Sequence, residues 1–319
     1  MYYDVLSAKQ GWNFEGTMHN LVKEFIRKRT LAENMELNEP LHDGVYYLEK
    51  LNELIERFCR DNEAKLVNEV PWPSMHDMYR RNYEYCSGVF GLFLIGQFPS
   101  CEALCRTAIE GSVNLHYISI GDSMTKQISY IKHHLETERK QNKNWKRSIE
   151  DSSYPDDAKA YHLQRISDKD RCLDHYEYGL KTSLALSNVE FDAVDSKWPN
   201  IFDRFKEIND EVGYRTIYAA LCSQAHNDAE DSLNKIMARI TENVSGMEEA
   251  QWIEQYNFSL YMALIALDYH AFASAMYIAK FGINADEIIK LKNRVAESIF
   301  NVVENGPRLI LENIRFESA

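Results

Sequence analysis

Apolar residues recur along this chain at spacings of three and four, which is the period of an amphipathic α-helix. One such stripe, on a helix predicted at about 43–62, includes Leu48, Leu51 and Ile55. No stretch alternates apolar and polar residues as a half-buried strand would. The pattern therefore predicts an all-α protein that folds as a multi-helix bundle.

Glycine and proline lie mostly between these periodic segments and mark their ends. Pro71 and Pro73 stop a helix firmly, and we place a division there, between an N-terminal helical appendage (1–73) and a helical core bundle (74–319). Ser100, which follows Pro99, is the expected N-cap of a central helix. The predicted helices of the core bundle cover about 74–97, 100–120, 123–148, 158–186, 200–209, 214–225, 228–243, 248–281 and 286–304.

Composition narrows the classes of function. The net charge is −13 and the pI is near 5.3, and an acidic surface repels the phosphate backbone of nucleic acids. This disfavours broad, non-specific nucleic-acid binding. The six cysteines form no C-x-x-C pair, which favours buried, reduced thiols over a structural zinc site. We therefore expect no metal and no other cofactor.

Two apolar segments are candidate membrane spans. The stretch 86–98 is too short, since a spanning helix needs about 20 apolar residues. The stretch 258–281 is long enough, but Asp268 and His270 lie near its middle, where lipid would disfavour them. No signal peptide is evident at the N-terminus. We expect a cytoplasmic protein without membrane contact.

The densest chemical signal is a polar stripe on the apolar helix predicted at 100–120. At about 100° per residue, Arg106, Glu110, Asn114 and Tyr117 share one face of that helix. Charged groups in such surroundings need partners, and Arg106 and Glu110 are spaced to pair with each other. The stripe therefore predicts either a functional site or a clamp between helices.

A second polar stripe lies about 100 residues further along the chain. Arg215, Tyr218, Cys222 and His226 share one face of another apolar helix, and Tyr214 and Ser223 belong to the same segment. His226 ends this predicted helix, where the helix dipole favours the protonated imidazole. Histidine is also the side chain that moves protons most readily near neutral pH. A structural histidine is the open alternative for His226.

The two stripes carry a resemblance to known proteins. They follow the patterns L-x-R-x-x-x-E-x-x-x-N-x-x-Y and Y-R-x-x-Y-x-x-L-x-S-x-x-H, and residues 79–231 resemble a widespread bacterial helical family of unknown function. That family is similar, more distantly, to HEPN proteins (higher eukaryotes and prokaryotes nucleotide-binding). Their mark is R-x4-6-H, whereas here ten residues separate Arg215 from His226, and three separate Arg171 from His175.

The resemblance implies an HEPN-like core with extra helices, and a function. Many HEPN proteins are ribonucleases, so it implies an effector of a bacterial anti-phage or toxin-like system, acting as a metal-independent ribonuclease or on a nucleotide. His226 would then transfer protons, Arg106 would stabilise developing charge and Glu110 would orient Arg106. The residues expected to bind the substrate are Asn114, Tyr117, Tyr214, Arg215, Tyr218 and Ser223.

The partners implied are RNA or a nucleotide, a protein encoded nearby, and further copies of the same chain. The alternative is a non-enzymatic helical interaction or scaffold module, in which the Arg-Glu-Asn-Tyr stripe is a structural clamp. A basic cluster at 139–147, with Trp145 inside it, is compatible with phosphate contact or with a solvated helix end.

Overall fold

The computed structural model describes residues 39–221, 236 and 244–305 of the 319-residue chain. All the regular structure in those ranges is helical, which confirms the predicted all-α multi-helix bundle. The helix predicted at 228–243 and the segments before 39 and after 305 lie almost wholly outside the described residues.

The helices vary widely in length. A 3-10 turn at Phe191–Ala193 and a π-helical turn at Tyr214–Tyr218 lie between the longer elements. The α-helices are α1 (Glu39–Asp61), α2 (Glu63–Leu66), α3 (Trp72–Leu94), α4 (Phe98–Ser119), α5 (Ser123–Glu150), α6 (Asp156–Leu186), α7 (Ile201–Glu207), α8 (Glu211–Gly213), α9 (Val244–Lys280) and α10 (Asp286–Asn305).

Proline lies inside the first turn of α4 and does not precede it. The helix begins at Phe98 and Gln97 is its N-cap, so the prediction that Ser100 caps this helix was wrong. Proline is tolerated there because the first N–H groups of a helix have no partner within the helix. The helix predicted to begin at 123 does begin there, and the Asp122 carboxylate caps it by accepting a 3.1 Å hydrogen bond from the N–H of Thr125.

Helix α9 is the central element of the bundle, in contact with α4, α10, α3 and α1. Leu264, Ala266 and Leu267 in its middle are fully buried. The segment Trp252–Lys280 is long and apolar enough to cross a membrane, and 67% of its most apolar stretch is buried inside the protein. Packing against four helices accounts for this apolar composition without a membrane.

Helix α1 contributes to the same hydrophobic core as α9. Leu48, Leu51 and Ile55, which the periodicity placed on one stripe, are buried in it. The division of the chain at residue 73 stays a prediction.

Helices α5 and α6 pair with each other to form a hairpin, which we call the arm. The arm has a small hydrophobic cluster of its own, in which Leu135, Leu173 and Phe191 are buried. At about 1.5 Å per residue, its two helices are about 42 and 46 Å long. Gly121, with φ of 65°, supplies the left-handed turn that separates α4 from the arm.

A polar contact set lies inside the core, between α3, α4 and α9. The Asn82 amide donates hydrogen bonds to Ser112 Oγ at 2.6 Å and to His270 Nδ1 at 3.0 Å. Tyr79 stacks on the His270 ring with 5.3 Å between ring centroids. Buried polar groups such as these fix how neighbouring helices align, because any shift would leave them unpaired.

Two helical glycines allow a matched test of packing. A Cβ at Gly44 would lie 2.7 Å from Phe90 and 2.9 Å from Leu264, whereas a Cβ at Gly91 would meet nothing within 4 Å. We expect Gly44→Ala to lower the free energy of unfolding by about 1–3 kcal/mol through overpacking. Gly91→Ala should raise it by about 0.5–1 kcal/mol, because alanine restricts the unfolded chain. Urea unfolding measures both, and equal effects would contradict this packing.

Two buried histidines predict how stability depends on pH. Burial lowers the pKa of His116 to about 4 and that of His270 to about 3, from an ordinary value of 6.5. Both favour the neutral form in the folded state, so their contribution is complete above pH 6.5 and is lost as the pH falls below it. We expect a loss of about 2 kcal/mol per histidine between pH 6.5 and pH 5.

The measurement is urea unfolding at several values of pH. His116→Gln should remove the contribution of His116 to the dependence of the free energy of unfolding on pH. The same change at His175, which is exposed on α6, should leave that dependence unaltered. A profile of His116→Gln that matches the unmodified protein would refute the burial of a neutral imidazole.

Candidate functional site

The polar stripe of α4 contacts the described part of the second stripe, and Glu110 is their meeting point. The Tyr218 hydroxyl donates a 2.7 Å hydrogen bond to Glu110 Oε2. The guanidinium of Arg204, from α7, lies 3.6 Å from Glu110 Oε1. One carboxylate thus joins α4 to α7 and to the π-helical turn.

Arg204 is the most deeply buried cation of this cluster, with a side chain only 6% exposed. Burial lowers the pKa of Arg204, and the nearby charge of Glu110 acts in the opposite direction. An arginine stays charged even with such a shift, so Glu110 compensates a cation that has left water.

The Arg204 guanidinium also contacts an aromatic ring. It lies 5.3 Å from the Trp198 ring centroid, and Tyr117 packs edge-to-face on Trp198 at 5.2 Å. Lys126 lies 3.9 Å from the Tyr117 ring centroid. The contacts therefore run from Lys126 through two rings, Tyr117 and Trp198, to Arg204 and Glu110, and Tyr117 is a buried member of this series.

Arg106 approaches the same cluster from the preceding turn of α4. Its guanidinium lies over the Tyr218 ring, 5.0 Å from the ring centroid. Tyr214 stacks on the same Tyr218 ring at 5.7 Å, with an interplanar angle of 24°. The π-helical turn at Tyr214–Tyr218 replaces the start of the regular helix predicted at 214–225. Single π-turns inside helices are frequent at functional sites, because they change the direction of the following side chains.

Arg215 does not join the cluster. It forms a 2.9 Å ion pair with Glu211 in the same segment and lies over Phe202, and its side chain is 63% exposed. Ser223 and His226 lie outside the described residues. Of the nine predicted site residues, the structure therefore brings together Arg106, Glu110, Tyr117, Tyr214 and Tyr218 in one cluster, and Asn114 in an adjoining cleft.

An open cleft of about 450 Å³ lies between α3 and α4, with Glu110 and Asn114 on one wall. We call it the first cleft. The amide oxygens of Asn82 and Asn114 are buried and accept no hydrogen bond from the residues that the structure describes. The remaining lining residues are Ser74, Asp77, Met78, Arg81, Tyr85, Thr107, Gly111 and Tyr130.

Comparison with known proteins places the chain in a family. Residues 75–243, just over half of its length, match a family of unknown function, DUF5677. The chain belongs to this family. No curated protein and no solved structure matches it.

The DUF5677 region contains the cluster around Glu110 and all but one of the residues that line the first cleft. It begins within α3 and includes α4, the arm, α7 and the π-helical turn, so every lining residue of the first cleft except Ser74 falls inside it. The predicted membership of a family of unknown function, over about 79–231, is confirmed. The similarity to HEPN proteins stays a prediction.

Several residues of the site were not identified from the sequence. Arg204 resembles an ordinary charge on a short amphipathic helix, and Arg81 and Asn82 lie on α3, away from both stripes. The sequence signal that could have identified Arg204 is its position among the apolar residues Ile201, Phe205 and Ile208. Within the described ranges, no three His, Cys, Asp or Glu side chains come together to hold a metal ion.

Glu110 faces the buried Arg204 and Glu211 faces the exposed Arg215, so the two glutamates provide a matched test. We expect Glu110→Gln to lower the free energy of unfolding by about 1–3 kcal/mol, because it leaves Arg204 buried without a counter-charge. The figure is below that for a fully buried pair because the Glu110 side chain is 35% exposed. Glu211→Gln, opposite the exposed Arg215, should cost about 0–1 kcal/mol.

Chemical denaturation of the two single variants gives the comparison. With Arg204→Met already present, Glu110→Gln should cost much less, because the buried cation has gone. An equal cost for Glu110→Gln with and without Arg204 would show that the two side chains are not coupled.

Proposed function

We propose that the first cleft binds a nucleotide or an unstacked base of RNA, and that the protein is a ribonuclease effector of an anti-phage or toxin-like system. The observation that carries this proposal is the Asn114 side chain, which lines the cleft with a buried amide oxygen that accepts no hydrogen bond from the described residues. A buried acceptor without a partner costs free energy that a ligand N–H group recovers.

The other lining groups suit the parts of a nucleotide. Tyr85 and Tyr130 offer aromatic surface on which a base stacks, and Tyr130 is 36% exposed. Arg81 is exposed, forms no ion pair within the described part of the chain, and matches the geometry of a phosphate. Asp77 is an acceptor for ribose hydroxyl groups. The base would thus enter the cleft while the phosphate stays near its rim.

The reaction proposed is transfer within the RNA chain. The 2′-hydroxyl loses its proton and its oxygen bonds to the adjacent phosphorus, while the bond from phosphorus to the 5′-oxygen breaks and that oxygen gains a proton. The products are a 2′,3′-cyclic phosphate and a 5′-hydroxyl end. His226 would move the protons, a role given to it by the resemblance, and Arg106 would stabilise the charge on phosphorus.

Glu110 is then a positioning residue, not a catalytic one. It contacts Tyr218, and the ring of Tyr218 supports the guanidinium of Arg106. This arrangement would direct Arg106 through a second side chain, as supporting contacts do in many active sites.

A second candidate is the non-enzymatic scaffold. It is favoured by the contacts of Glu110 itself, whose two oxygens meet Tyr218 and the buried Arg204. In this case the stripe of α4 would only clamp α7 and the π-helical turn to the bundle.

The decisive experiment measures RNA integrity and growth arrest in a bacterial host that expresses the protein. We expect His226→Ala and Arg106→Ala each to lower RNA cleavage by about 100-fold or more. The matched controls are Arg171→Ala and His175→Ala, an arginine and a histidine exposed on the arm, and both should cleave normally.

Asn114→Ala separates the two candidates. Its amide oxygen has no partner to lose among the described residues, so the melting temperature should stay near that of the unmodified protein, while affinity for nucleotides falls about 10-fold. Full toxicity in folded His226→Ala and Asn114→Ala proteins would rule out the nuclease and favour the clamp.

A further inference from the structure

A second cleft, of about 380 Å³, lies on the other side of α4 from the first. Helix α4 contributes Ser112, Val113 and His116 to it, about half a turn around the helix from Glu110 and Asn114. Helices α9 and α10 supply the facing walls. None of the predicted site residues lines this second cleft.

Two carboxylates face the second cleft, and the first is held rigidly. Asp210 is the N-cap of α8, where it accepts a 3.0 Å hydrogen bond from the N–H of Gly213. It also accepts a hydrogen bond from the Tyr269 hydroxyl. The preceding residue, Asn209, has φ of 60°, a left-handed conformation that asparagine tolerates and that turns the chain back toward α9.

The second carboxylate, Asp268 of α9, has an unmet acceptor. Lys292 Nζ lies 3.3 Å from Asp268 Oδ1, close enough for an ion pair, yet this buried oxygen accepts no hydrogen bond from the described residues. Burial raises the pKa of Asp268, and Lys292 lowers it. The carboxylate is therefore poorly solvated and only partly compensated by its lysine.

A buried imidazole adds a neutral acceptor to the same cleft. His116 is 8% exposed, and its ring lines the cleft. Burial lowers the pKa of His116 to about 4, so the ring is neutral at neutral pH. Phe272 packs edge-to-face against it at 5.0 Å and is itself 39% exposed at the cleft.

The rest of the lining is apolar except for Ser112 and Asn209. Val113, Ile208, Ile217 and Ile265 form walls without hydrogen-bonding side chains. The second cleft thus combines two carboxylates, one lysine and a neutral imidazole with a hydrophobic wall. Such a mixture, with a few convergent polar groups among apolar ones, is typical of small-molecule sites.

We propose that the second cleft binds a small organic ammonium ion, a primary amine that carries a short apolar or aromatic group. The ammonium would donate hydrogen bonds to Asp268 Oδ1 and to the Asp210 carboxylate, and Phe272 would add a cation–π contact. The apolar part would cover the isoleucine walls. With two acids and one lysine the cleft carries a net negative charge, which favours a cation over an acid of the same shape.

The test is calorimetric titration of the full chain with 2-phenylethylamine. The controls are 2-phenylethanol, which is neutral, and 3-phenylpropionate, which is anionic. We expect the amine to bind and both controls to bind at least 10-fold more weakly. Equal binding of amine and alcohol, or no binding of the amine at millimolar concentration, would overturn the proposal.

Two substitutions with opposite expected signs locate the binding. Asp268→Asn should weaken amine binding at least 10-fold, whereas the same change at Asp174, on the arm, should have no effect. Lys292→Met should strengthen amine binding, because it removes the cation that competes for Asp268. Weaker binding to folded Lys292→Met, or unchanged binding to folded Asp268→Asn, would also overturn it. The Lys292→Met result stands even if Asp268→Asn fails to fold.

Discussion

Helix α4 is enclosed by α9 and α3, and yet it carries Glu102, Arg106, Glu110, Asn114 and His116. A polar group that leaves water must find a partner or lower the stability of the fold. This constraint explains much of the arrangement around the helix. Glu102 accepts a hydrogen bond from Ser259 of α9, Ser112 accepts one from Asn82 of α3, and Glu110 meets Arg204 and Tyr218. Each contact joins α4 to a different part of the chain.

The two clefts arise where this matching is incomplete. On one side of α4 the amide oxygen of Asn114 has no partner among the described residues, and on the other side Asp268 Oδ1 accepts no hydrogen bond from them. The clefts share a wall, because Asn82 lines the first, Ser112 lines the second, and the two are hydrogen-bonded at 2.6 Å.

The clamp and the functional site are compatible roles for the same residues. An arginine that is held by rings and by a carboxylate loses little conformational entropy when it meets a ligand, and pre-organisation of this kind is what makes electrostatic stabilisation effective. Arg204 is enclosed by Trp198 and Glu110, whereas Arg106 is the cation of the cluster that belongs to α4 itself. Arg204 would keep the cluster rigid and Arg106 would contact the ligand, so the two roles do not conflict.

The sequence alone determined the helical class, the stripe of α1 in the core and the shared face of Arg106, Glu110 and Asn114, because these depend on local periodicity. Helix ends were less secure, as the misplaced start of α4 shows, since proline is allowed in a first turn as well as before one. The partners of Glu110 could not be predicted. Arg204 and Tyr218 lie about 100 residues away, and only the packing of α7 and the π-helical turn against α4 brings them within reach. The second cleft was missed for the same reason, because its acids, its lysine and its histidine come from four separate segments.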